Sequence, residues 1–151
     1  MLKVVTPIGA RLRRIPNVSD ADWAGRFLIA SISGSVWELS NRPSEAPHRL
    51  AAFPHLILRE PAVSPDKKLI ALGVRRADGV DYVAVFSRED HKLRRLTSGP
   101  RDSSPEWSPD GMGIVFRRGR DLYVVPSDGH SRPSNLGVSG DNPTWGMRIA
   151  E

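Results

Sequence analysis

The stretch "SSPEWSPDGMGIVF", Ser103–Phe116, decides how the rest of the chain reads. Ser108-Pro109-Asp110-Gly111 stands between two short apolar runs, and each residue brings its own turn chemistry. Pro109 pre-sets φ for the first central position of a type I turn. Asp110 suits the second, and Gly111 takes the left-handed position that follows. The stretch therefore predicts a three-residue hairpin loop with a bulge, joining two antiparallel strands. Asp110 is a turn former here, not a catalytic carboxylate.

The turn recurs. "PAVSPDKKLIAL" from Pro61 lies on "PEWSPDGMGIVF" from Pro105, 44 residues later. Val63 then matches Trp107, Ser64-Pro65-Asp66 matches Ser108-Pro109-Asp110, and Ile70 matches Ile114. "DYVAVFSRED" from Asp81 aligns with "DLYVVPSDGH" from Asp121. Lys67 falls where Gly111 sits, which costs on the order of 1 kcal/mol if the left-handed geometry is kept. The pattern restarts as "PTWGMRIAE" at Pro143, 38 residues after Pro105. An earlier copy, "ADWAGRFLIA", sets Trp23 opposite Trp107 and Leu28-Ile29-Ala30 opposite Ile114-Val115-Phe116, its turn shortened to Ala24-Gly25. The first residues, "LKVVTPIGARLRRI", resemble "LYVVPSDGHSRPSNL".

Each unit holds four short runs rich in Val, Ile, Phe or Tyr, bounded by turn residues, here termed strands a to d. In the best copy they fall at about 105–108, 113–117, 121–126 and 134–138. No run keeps a 3.6-residue apolar period long enough for a stable helix. Thirteen Gly and thirteen Pro in 151 residues agree with a chain full of turns. Four-stranded units of about 40 residues are the signature of a β-propeller blade. The motifs "PEWSPDG", "PAVSPDK" and "LYVVPSDG" resemble the repeats of the TolB-type (WD40-like) propeller family, which also occur in the propeller domains of prolyl-oligopeptidase-like peptidases.

The expected fold is all-β: a small β-propeller of four-stranded antiparallel blades, as a single domain over 1–151. Three blades are complete, at about 17–53, 54–98 and 99–138. A fourth is assembled from the two ends, 1–16 supplying strands c and d and 139–151 supplying strand a and a short b. Such closure leaves no open sheet edge. The resembled family usually has six or more blades, so two alternatives stand beside the closed monomer. Two chains join head-to-tail into a larger ring as a homodimer, or the chain is a fragment of a larger propeller.

Composition bounds the function. Apolar content is 39%, charged content is 26%, and the net charge is +5. With no Cys there is no disulfide and no thiolate chemistry. The N-terminus lacks the apolar core of a signal peptide, and no run reaches the length of a membrane helix. The expectation is a soluble, cytoplasmic chain, periplasmic or secreted only if trimmed from a longer precursor. Basic charge raises the question of an anionic partner. Nucleic acid is not the expected one, and no membrane is expected.

Catalytic motifs are missing: no Gly-x-Ser-x-Gly, no His-Glu-x-x-His and no Walker sequence. "GMG" at Gly111–Gly113 sits in a hairpin. "DADWAG" at Asp20–Gly25 opens like a calcium loop, but Ser31 stands where the closing Glu belongs. The four His are scattered, with His91 and His130 at c–d turns. No metal, no cofactor and no catalytic residue is expected.

In a propeller the b–c and d–a connections share one face, here called the top. That face gathers Arg59, Arg75, Arg76, Arg101, Arg117, Arg118 and Arg120, with Asp78, Asp102, Asp121 and Asp141 among them; Arg75, Arg76, Arg101, Asp102, Arg117, Arg118 and Arg120 are the candidate partner-binding residues. Arginine suits two-pronged capture of carboxylates. The functional expectation is a non-enzymatic protein-interaction scaffold that binds an acidic peptide or protein. The alternative for the rim is mutual pairing of Arg with Asp. The alternative for the chain is an accessory propeller of a prolyl-oligopeptidase-like serine peptidase. Trp23, Trp107 and Trp145 recur at one blade position, which argues for packing between neighbouring blades.

Overall fold

A computed structural model describes residues 2–5, 11–15, 17–42 and 44–145. Every regular element among them is a strand. β1 (Leu2–Val5) and β2 (Arg11–Ile15) form an antiparallel pair. β3 (Val18–Ala24), β4 (Phe27–Ile32), β5 (Ser35–Ser40) and β6 (His48–Ala51) form the first four-stranded blade, in chain order. β7 (Leu56–Val63), β8 (Leu69–Arg76), β9 (Asp81–Ser87) and β10 (Leu93–Arg95) form the second. β11 (Asp102–Trp107), β12 (Gly113–Arg118), β13 (Asp121–Pro126) and β14 (Ser134–Ser139) form the third. The all-β architecture of four-stranded antiparallel blades, with a further strand pair before them, is the expected one. Strand b of the closing blade was expected near the C-terminus, and 146–151 lie outside the described residues.

The turn that opened the reading is built twice from the same bonds. The Ser108 hydroxyl donates to Asp110 and accepts from Gly113 N–H, while Asp110 also accepts from Met112 N–H. Ser64, Asp66, Leu69 and Lys68 repeat all three contacts. Gly111 sits at φ 72°, and Lys67 keeps the same left-handed conformation at φ 64°. The loop differs from expectation in length. Ser108 N–H bonds to Gly113 carbonyl, so four residues intervene rather than three, because the Asp110 carboxylate satisfies Met112 N–H.

Strand register confirms one alignment and corrects another. Trp23 pairs with Leu28, Val63 with Ile70 and Trp107 with Ile114, so the three a–b hairpins are equivalent. In strand c, Ile70 pairs with Phe86 and Ile114 with Val125, which makes Phe86 equivalent to Val125 and not to Pro126. The shorter β12–β13 turn removes one more residue than text matching allowed. A one-residue slip reverses the faces of a strand, so the ladder and not the letters decides equivalence.

Alternation along the strands then assigns each side chain to one neighbouring blade. Ile70, Leu72 and Val74 of β8, with Tyr82, Ala84 and Phe86 of β9, pack against Ile29 and Val36 of the first blade. The intervening Ala71, Val83 and Val85 pack against Trp107, Ile114, Phe116 and Val125 of the third. Small residues, Ala62 and Ala71, make room for the large Trp107 and Phe116. Fully burying side chains of this size contributes about 1.5–3 kcal/mol each, so the blades are locked by their shared cores.

Candidate functional site

Strand a of each blade carries a break near its start. The β7–β8 ladder shifts between Arg59 and Ala62, and the β11–β12 ladder between Ser103 and Glu106. At the break, Glu60 and Ser104 take left-handed φ of 51° and 52°, each directly before a proline. The break turns the preceding residues, Arg59 and Ser103, toward the top. There they meet the ends of strands b and the b–c turns. Arg59, Glu60, Arg75, Asp81, Arg101, Ser103, Arg117, Gly119 and Arg120 line a depression of about 350 Å³.

Its charges are arranged unequally. Asp81 is clamped by two guanidinium groups: Arg59 at 2.7 Å, and Arg75 through both carboxylate oxygens at 2.8 and 2.9 Å. The hydrogen bonds from Arg75, and then the charge of Arg59, hold the Asp81 carboxyl below its ordinary range. Arg117 pairs with Asp141 and reaches the Ser103 hydroxyl at 3.3 Å. Arg101 and Arg120 are exposed and carry no ion pair among the described residues. The depression thus holds five arginines against the carboxylates of Glu60 and Asp81.

The expected residues therefore divide. Arg75, Arg101, Arg117 and Arg120 come together in the depression. Arg76 stands apart, paired with Asp78 at 2.9 Å in an exposed turn. Asp102 and Arg118 have a different environment. Asp102 is fully buried and receives Arg118 at 2.7 and 2.9 Å, with Gly99 N–H at 3.1 Å on the same carboxylate. The Arg118 guanidinium lies over the Tyr123 ring at 4.7 Å. The bonds from Arg118 to Asp102 raise its already high pKa. This pair ties the d–a connection to strand b. Arg59, expected on the top face though not among the candidate binding residues, and Asp81 also line the depression; Arg59 aligns with Ser103, each one residue before the left-handed break.

Nearer the centre, Asp20, Glu60, Glu106, Ser104 and Asn142 line a smaller space of about 190 Å³. The Glu60 carboxylate accepts from Ser104 N–H at 2.8 Å, stitching strand a of the second blade to that of the third. Burial, reinforced by Asp22, pushes the Glu106 carboxyl up. Burial and the nearby Glu60 do the same to Asp20. Asp20 lies within β3, so the calcium-loop resemblance falls on a strand, and no group of three His, Asp or Glu is placed to hold a metal among the described residues.

Radial four-stranded antiparallel sheets, successive in the chain and packed face to face, define a β-propeller arc. The fold resembles that of TolB and of peptidase propeller domains. TolB from Acinetobacter baumannii superposes on 91% of this chain with a TM-score of 0.70 at 15% identity, over 37% of its own length. A puromycin hydrolase matches 93% of this chain at TM-score 0.62 and 19% identity, over 24% of its length. The tricorn protease matches 75% at 0.61 and 19%, over 12% of its length. No family model matches the sequence. At these identities the likeness is one of fold, and the chain spans well under half of each of these proteins. Among the described residues, no helix is long and apolar enough to cross a membrane.

Proposed function

We propose that the chain is a non-enzymatic interaction module that captures an acidic peptide segment of a protein partner in the arginine-lined depression. The observation that carries the reading is the charge imbalance there: five arginines face the carboxylates of Glu60 and Asp81, with Asp141 on Arg117, and Arg101 and Arg120 are exposed with no ion pair among the described residues. Elsewhere on the rim a cation is neutralised by its neighbour, as Arg76 is by Asp78. Guanidinium groups fixed on a rigid sheet suit two-pronged binding of carboxylates, since little side-chain freedom remains to be lost. The clamped Asp81 holds Arg59 and Arg75 in place without cancelling both charges.

The test is titration of a fluorescein-labelled oligoglutamate peptide, followed by anisotropy, at low and high salt. Wild type binds, and binding weakens with salt as screening sets in. Arg101→Glu with Arg120→Glu reduces affinity at least tenfold, equivalent to about 1.4 kcal/mol or more, with unchanged circular dichroism. Equal binding by the double variant, or equal binding of an oligoglutamine control, refutes the proposal.

A further inference from the structure

The carboxylates around the arginine depression are not held alike. Asp102 is fully buried and takes three donors. Asp81 is clamped by Arg59 and Arg75, with its side chain 14% exposed. Asp121 accepts from the Ser139 hydroxyl at 2.8 Å. Asp141, on the connection that follows β14, has its side chain 79% exposed and is held by Arg117 through one oxygen. No other hydrogen bond or ion pair reaches its carboxylate among the described residues.

Arg117 does not depend on Asp141 for its place. It lies across the ladder from Ser103 of β11. Its Nε and Nη2 both donate to the Ser103 hydroxyl, each at 3.3 Å, and Ser103 is buried. Asp141 takes only Nη1. The guanidinium therefore stays aimed when Asp141 moves off, because the bonds that orient it lie on a different edge. The same group borders two depressions, of about 350 and 510 Å³, which share Arg117, Gly119 and Arg120. Arg101 lines the smaller of the two and Asp141 the larger.

We propose that Asp141 is a built-in competitor for this site: it occupies Arg117 when no ligand is bound and gives way to a carboxylate of the captured acidic segment. The inference rests on the capture reading above and names what sets the affinity. A segment that meets Arg101 and Arg120 reaches Arg117 at the Nη1 that Asp141 holds. Exchange there swaps one carboxylate for another, so Arg117 is never left without a counter-charge. It is also easy, because an exposed ion pair favours its closed state by only about 2- to 5-fold. Asp81 and Asp102 cannot act in this way, since their departure would strand two arginines or a buried partner.

The experiment is anisotropy titration of the labelled oligoglutamate peptide against wild type, Asp141→Asn, Asp78→Asn, Arg117→Gln and the Arg117→Gln, Asp141→Asn double variant, each checked by circular dichroism. Asp141→Asn is expected to bind about 2- to 5-fold more tightly than wild type. Asp78→Asn removes the same charge but frees Arg76, which stands apart from the depression, and is expected to gain less. In the Arg117→Gln background, Asp141→Asn is expected to add no more than Asp78→Asn does in wild type. A gain for Asp141→Asn no larger than that for Asp78→Asn overturns the proposal. So does a gain that persists in full without Arg117. Either result, with wild type still binding, leaves the capture reading intact. If neither wild type nor Asp141→Asn binds the peptide, the capture reading falls and this inference with it.

Discussion

Replacing Asp102 by Ala removes a group that the sequence places on a binding rim and the structure places inside the fold. Asp102 is fully buried, and its two oxygens take three donors: Arg118 Nε, Arg118 Nη2 and Gly99 N–H. The site is tight enough that a Cβ on Gly99 would collide with Asp102 Oδ1. The change leaves Gly99 N–H without an acceptor in a buried position, which costs about 1–3 kcal/mol. It also strands Arg118. Breaking a fully buried ion pair costs about 3–5 kcal/mol, but the Arg118 side chain is 28% exposed and can recover water, which lowers its share. The expected loss is about 3–4 kcal/mol in total, a large part of the roughly 5–15 kcal/mol that holds a domain together. At about 2–4 °C per kcal/mol for a chain of this size, the melting temperature falls by about 6–16 °C. Equilibrium urea unfolding, followed by tryptophan fluorescence, measures the loss directly. Asp102→Asn retains an acceptor for Gly99 and is expected to lose about half as much. A loss below about 1 kcal/mol for Asp102→Ala refutes the claim that this pair is structural.

Two further perturbations test local physics. Lys67→Gly relieves a left-handed residue at φ 64° and should raise unfolding free energy by about 1 kcal/mol; a destabilised variant in the same urea assay would contradict the turn equivalence with Gly111. Glu106 has its carboxyl raised above its ordinary 4.5 by burial and by Asp22, so ionising it opposes folding. Stability of the wild type therefore falls as pH climbs from the unfolded-state value through the folded one. Glu106→Gln should be more stable than wild type near pH 7, with the difference shrinking toward about pH 4, where both states hold the proton. A difference that stays constant across that range would show that charge is not its origin.

The blade was legible because its signals are local. Ser-Pro-Asp builds its turn from donors and acceptors within five residues, and the same bonds form at Ser64 and Ser108 wherever those turns sit in the fold. The matching of Trp23, Val63 and Trp107 survived because the a–b hairpins share one register. Strand c was misaligned by one residue because turn length, which varies between blades, sets where pairing restarts. The arginines were found as a group and could not be sorted. Arg117 and Arg118 are neighbours in the chain and point to opposite sides of β12: one meets Asp141 on the rim, the other Asp102 inside.

The repeat, the all-β class and the closing chemistry of each a–b turn follow from sequence alone, since each rests on contacts a few residues apart. The tertiary structure decided which cations are spent and which are free. It also decided that Trp107 is sealed between blades while Trp23 is open. Both depend on what folding brings to within a few ångströms: the adjacent strand of the same blade for Asp102 and Arg118, 16 residues apart, and the neighbouring blade for Ala62 and Trp107, 45 residues apart. Charge pairing and burial are properties of that juxtaposition, and no short stretch of sequence contains them.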